Sequence, residues 1–142
     1  MAIRKAEAEW KGGLKDGEGS LALGSGAFKG AYSFKSRVED GVADTNPEEL
    51  LGAAHAGCYS MQLAAFLEAA GHPAARIHTT ALVHFGPVDG GFGITAIDLT
   101  TECDVPGLDE AAFLEQAEAA KKNCPVSKAL AATPITLKAT LL

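Results

Sequence analysis

Cysteine is scarce in this chain, and its three thiols, Cys58, Cys103 and Cys124, form no Cys-x-x-Cys pair. No His-x-x-x-His spacing joins the four histidines, so neither a metal nor any other cofactor is expected. An odd cysteine count argues against a secreted disulfide scaffold, and MAIRKAEAEW lacks the apolar core of a secretory signal. A cytoplasmic setting is therefore expected. Basic clusters are missing too: net charge is −6 and the only adjacent basic residues are the pairs Arg4-Lys5 and Lys121-Lys122, which excludes a nucleic-acid partner. No run of about 18 apolar residues is free of charges and breakers, so no membrane span is expected. The glycine-rich stretch 24–30 has neither the spacing nor the Lys-Ser/Thr of a phosphate loop and reads as a hairpin connection.

What is present is organised around residues 45–71, TNPEELLGAAHAGCYSMQLAAFLEAAG. Asn46 suits a helix N-cap, Pro47 the first turn, and Glu49 the capping-box position. Gly71 with His72-Pro73 ends the helix. Its apolar residues surround the axis, which predicts a helix enclosed by a core. Cys58 lies at its middle, with His55 one turn earlier.

Around this helix the chain reads as strands. Residues 3–10, 20–23 and 31–39 precede it, the last with Tyr32, Phe34 and Val38 on one face and Lys35, Arg37 and Glu39 on the other. Residues 77–85 and 92–105 form a long hairpin about GPVDGG. A second helix runs from Glu110 to about Asn123 behind Asp109. Cys124-Pro125 interrupts it, one or two turns follow, and residues 135–141 form a final strand. Strands outnumber crossover helices, which predicts a single α+β domain over residues 1–142 with antiparallel sheet.

The cysteines differ in context. Cys103 shares strand parity with Ile97, Leu99 and Val105 and reads as a small core hydrophobe. Cys58 sits on the central helix, and Cys124 sits where proline breaks a helix, a place suited to a thiol that must move. One buried thiol and one at a helix break suit a peroxidatic and resolving pair. Cys58 is three turns inside its helix, beyond reach of the helix dipole, so its thiolate needs a cation. The arginines are Arg4, Arg37 and Arg76, and His55 is the local alternative, with a hydrogen-bonded core histidine as its other reading.

TNPEELLGAAHAGCYSM, followed later by NCPVSKAL and preceded by FKSR, resembles the OsmC/Ohr family of organic hydroperoxide reductases, and the likeness extends from Trp10 to ITLKATLL. FKSR before the helix resembles the OsmC branch. The resemblance implies an OsmC-like fold: antiparallel sheets around a buried central helix in an intertwined homodimer. It implies Cys58 as peroxidatic residue, Cys124 as resolving residue, Arg37 stabilising the thiolate and Glu48 holding the arginine. It also implies an organic hydroperoxide substrate, with hydrogen peroxide a weaker one, and an external dithiol reductant, dihydrolipoyl groups among the candidates. Glu48 and Cys58 are about 15 Å apart along a straight helix and point about 80° apart, so one arginine serves both by bridging, by a bend near Gly52, or across a subunit boundary. Two other readings stay open: a hot-dog-like acyl-thioester protein with Glu48 or His55 as base and structural cysteines, and a non-catalytic ligand-binding domain.

Overall fold

The computed structural model describes the whole chain, Met1–Leu142, which divides into two compact units, Met1–Leu50 and Leu51–Leu142. The first contains β1 (Ala6–Lys11), β2 (Glu18–Leu23), β3 (Lys29–Tyr32) and a short helix α1 (Phe34–Val38). Its three strands form an antiparallel sheet in the order β1-β2-β3, and the Trp10 and Tyr32 rings meet at 5.4 Å.

Here one sequence expectation is corrected. Residues 31–39 are not one strand, because β3 ends at Tyr32 and the chain turns into α1. Local capping overrides the alternation. The Ser33 side chain accepts from the Ser36 N–H at 3.0 Å, and the Ser36 hydroxyl oxygen accepts from the Ser33 N–H at 3.0 Å, a reciprocal capping box.

The long helix α2 (Pro47–Ala69) crosses the boundary between the units. Asn46 caps it by accepting the Glu49 N–H at 2.8 Å, while the Glu49 carboxylate accepts the Thr45 hydroxyl. At its other end the N–H groups of Gly71 and His72 return to Glu68 and Leu67 at 2.9 Å each, with Gly71 at φ 83°. That paired closure needs a left-handed residue, which glycine supplies without strain.

The second unit adds β4 (Arg76–Val88), β5 (Gly91–Asp104), α3 (Glu110–Asn123), α4 (Pro125–Ala129) and β6 (Ile135–Leu141). The β4–β5 hairpin closes through Asp89-Gly90, with Gly90 at φ 85°. β5 is central, antiparallel to β4 but parallel to β6, so the sheet is mixed where the sequence suggested antiparallel pairing alone. The reason is topological: α3 and α4 carry the chain back across the sheet, and a strand that returns by such a crossover pairs in parallel. The architecture is α+β, as expected.

The core of this unit joins Tyr59, Leu63 and Leu67 of α2 to Ile97, Leu99 and Cys103 of β5 and Phe113, Ala117 and Ala120 of α3. Each large side chain so buried contributes about 2 kcal/mol. α2 is long and apolar enough to cross a membrane by length and composition, yet this stripe packs as in a core helix. The helix is not enclosed on every side as its composition suggested. Gly52, His55, Tyr59, Leu63 and Leu67 are buried, whereas Ala53, Ala54, Gly57, Met61 and Ala65 are exposed. A helix packed on one sheet buries one stripe, whatever its other faces carry.

Cys103 is fully buried, its sulfur 3.5 Å from the Thr101 hydroxyl, and burial pushes its thiol up. Cys103→Ser is expected to cost about 1–3 kcal/mol in denaturant unfolding, because a hydroxyl replaces a packed sulfur. A second effect beyond stability in the folded variant would contradict the packing role.

Candidate functional site

Each compact unit holds one pair of the residues singled out in the sequence. In the first unit α1 is tied to the start of α2. The Ser36 hydroxyl donates to the Thr45 carbonyl at 2.7 Å, and the Asn46 amide donates to the Ser36 carbonyl at 3.0 Å. This places Arg37 beside Glu48. Arg37 Nε donates to both carboxylate oxygens, at 2.9 and 3.1 Å, and Nη2 donates to Oε1 at 2.6 Å. Glu48 is only 6% exposed, so its charge is matched by the guanidinium edge rather than by water. Arg37 sits on a helix rather than on a strand face, and its side chain is 37% exposed. Beside it lies a half-open pocket of about 250 Å³ lined by Trp10, Leu14, Tyr32, Phe34, Arg37 and Pro47. Its walls are mainly aromatic and aliphatic.

In the second unit the thiols of Cys58 and Cys124 are neighbours, each acting on the other's hold on its proton. Both are free thiols, Cys58 half-buried and Cys124 fully buried. Cys124 ends α3 through its N–H to the Ala120 carbonyl at 2.8 Å, and its own carbonyl accepts the Lys128 N–H at 3.0 Å. Pro125 at the first position of α4 forces the break. One residue thus closes one helix and opens the next, and its sulfur faces α2.

The two thiols are driven in opposite directions. Burial pushes Cys58 up, partly offset by the Val126 N–H, and the neighbouring Cys124 raises it further. Burial alone would raise Cys124 as well, but the Ser127 N–H, the Cys58 thiol, the Ser127 hydroxyl and the Val126 N–H together bring it below the usual thiol value. Within this unit Cys58 therefore holds its proton more tightly than Cys124 does. Making Cys58 the nucleophile requires a cation beyond these groups.

His55 is fully buried. Its Nε2 lies 2.7 Å from the Ser127 hydroxyl, and its Nδ1 has no hydrogen-bond partner. Burial lowers its pKa, which keeps the ring neutral and removes it as the local cation for Cys58. Ser127 was not marked in the sequence, and no spacing rule could have found it, for its partner is 72 residues away. No group of three or more His, Cys, Asp or Glu side chains is placed to hold a metal.

Comparison with known proteins shows the family. A family model described as OsmC-like protein matches residues 39–139. The chain belongs to the OsmC family. It is 45% identical over 130 residues to a protein named Peroxiredoxin OsmC from Escherichia coli K12, covering 91% of this chain and 90% of that one. Among solved structures, an OsmC-like protein from Mycoplasma pneumoniae superposes with a TM-score of 0.77 at 18% identity, over 99% of this chain and 98% of the other. The organic hydroperoxide resistance protein OhrB of Bacillus subtilis gives a TM-score of 0.70 at 24% identity, over 97% and 98%. At such identities the structural likeness carries the fold alone. Neither the OsmC-family assignment nor the two apposed thiols favours the acyl-thioester or ligand-binding readings.

Proposed function

We propose that this OsmC-family chain is a cysteine-based peroxidase that reduces organic hydroperoxides, and hydrogen peroxide more weakly, through a Cys58–Cys124 disulfide. The observation that carries the reading is the apposition of these two free thiols on α2 and at the start of α4. Cys58 thiolate attacks the peroxide O–O bond. The distal oxygen becomes bound to sulfur as a sulfenic acid and the remainder leaves as an alcohol. Cys124 then condenses with the sulfenic acid, releasing water, and an external dithiol restores both thiols. A dihydrolipoyl group is a chemically suitable dithiol. A cytoplasmic setting would supply such reductants and keep the thiols free.

Arg37, fixed by Glu48, is the cation assigned to the Cys58 thiolate. Its bidentate clamp leaves the guanidinium oriented. An apolar surround at the Cys58 helix would favour an alkyl hydroperoxide, since each buried methylene contributes about 0.8 kcal/mol. All these parts are read as belonging to one functional domain, residues 1–142.

The test is a free-thiol count before and after one equivalent of an alkyl hydroperoxide. Two of the three thiols should disappear, and peptide mapping should join Cys58 to Cys124 while Cys103 stays free. A disulfide to Cys103, or no thiol loss, would refute the reading.

A homodimer is the proposed active species. The exposed face of α2 is apolar, with Met61 77% exposed, and a second copy covering it would remove that surface from water. Sedimentation at assay concentration should give two chains per particle, and Met61→Glu should shift it toward one. A fully active monomer would end the dimer proposal.

A further inference from the structure

The buried pair His55–Ser127 takes no part in the reaction as written, yet it lies directly behind the second thiol. Ser127 is three residues after Cys124, in the first turn of the helix that Cys124 opens, and its hydroxyl and N–H both act to lower the Cys124 thiol. The hydroxyl is 2.7 Å from His55 Nε2, and both residues are almost or wholly out of contact with solvent. A hydroxyl has one proton. If Ser127 gives it to the sulfur, its oxygen accepts from His55, so Nε2 carries the hydrogen and Nδ1 a bare lone pair. The opposite tautomer would strand an N–H at Nδ1 in the core and strip the sulfur of a donor. A buried lone pair is the smaller loss. The unpartnered Nδ1 thus fits the directed chain from Nε2–H to Ser127 to Cys124.

We propose that His55 is a positioning residue acting through Ser127, holding the serine hydroxyl on the Cys124 sulfur and so aiming and activating the resolving thiol. The inference rests on the Cys58–Cys124 reading above. It concerns only the second step: the Cys124 sulfur forms an S–S bond to the Cys58 sulfur, whose S–O bond breaks. The oxygen leaves as water with its own hydrogen and the proton that Cys124 gives up. Cys124 is oxidised, the sulfenic sulfur is reduced, and no further reactant is needed. A hydroxyl polarised by His55 stabilises negative charge on Cys124 as it loses that proton. Because burial keeps the ring neutral, its Nε2 supplies a fixed dipole rather than a titrating charge.

Single-turnover mixing of the reduced protein with one equivalent of tert-butyl hydroperoxide separates the steps. Peroxide consumption reads the first, and disulfide formation with dimedone trapping of sulfenic acid reads the second. In Ser127→Ala and His55→Leu the first step should stay within about twofold of wild type, while the second slows by about ten- to a hundredfold and the dimedone adduct accumulates. His55→Gln keeps an amide N–H near the Nε2 position and should recover most of the rate. The double variant should be no slower than either single one, as expected of residues acting through one chain. Unchanged disulfide formation in both single variants, or equal slowing of both steps, would overturn the inference while the Cys58–Cys124 reading stands. If His55→Leu does not fold, Ser127→Ala against wild type decides. Wild-type protein that consumes peroxide without a Cys58–Cys124 bond would overturn the reading itself and this inference with it.

Discussion

Cys58→Ser is expected to abolish hydroperoxide reduction, whereas Cys124→Ser is expected to react once and stop. The asymmetry follows from the order of bond making. Attack on the O–O bond needs only the Cys58 sulfur, and a serine hydroxyl, far less acidic than a thiol, cannot replace it at neutral pH. Cys103 is sealed in the core between β5 and α3, so it offers no substitute nucleophile. In Cys124→Ser the sulfenic acid forms and then lacks a partner, so it should persist for dimedone trapping or over-oxidise under excess peroxide. Intact-mass measurement after one equivalent of hydroperoxide distinguishes the outcomes: one added oxygen for Cys124→Ser, none for Cys58→Ser, and loss of two hydrogens for wild type. If Cys124→Ser turned over continuously with a dithiol, the protein would need only one cysteine. Oxidation of Cys58→Ser at Cys124 would reverse the assigned roles.

Arg37→Ala is expected to slow the first step by about four- to fortyfold. Removing a neighbouring cation raises a thiol pKa by about 1–3 units, and each unit lowers the thiolate fraction about tenfold when the pKa exceeds the working pH. The more basic thiolate is a better nucleophile, with a Brønsted slope of about 0.45, which returns nearly half of the loss on a logarithmic scale. Burial raises the Cys58 thiol, and within its own unit the Val126 N–H offsets that only in part. The alkylation profile of Cys58 should move to higher pH in the variant. A profile that does not move would exclude Arg37 as the activating cation. Stability should fall as well, because Glu48, only 6% exposed, would lose the guanidinium that satisfies its carboxylate. Arg37→Lys should restore part of the reactivity through its charge and less of the stability, since an ammonium cannot reproduce the two-nitrogen clamp. Comparing the two variants separates an electrostatic effect on sulfur from a folding defect.

Helices α2 and α3, the β4–β5 hairpin and β6 could be read from the chain because their signals are local. Asn46 and Asp109 cap helices whose next residues already hold the periodicity, and Asp89-Gly90 closes a hairpin between its own flanks. The stretch 31–39 misled for an equally local reason: its alternation resembled a strand, and two serines three residues apart decided for a helix.

The sequence by itself determined the helix that carries Cys58, the proline break that carries Cys124, and the motifs by which those residues resemble the OsmC family. Each depends on residues a few positions apart along the chain. Only the tertiary structure decided that β6 pairs in parallel with β5, that one stripe of α2 is buried, and that His55 meets Ser127. It also joined Arg37 to Glu48 through two nitrogens. These depend on which distant segment arrives to satisfy a buried donor, carboxylate or apolar face. Periodicity shows that such a group needs a partner but not which residue will supply it.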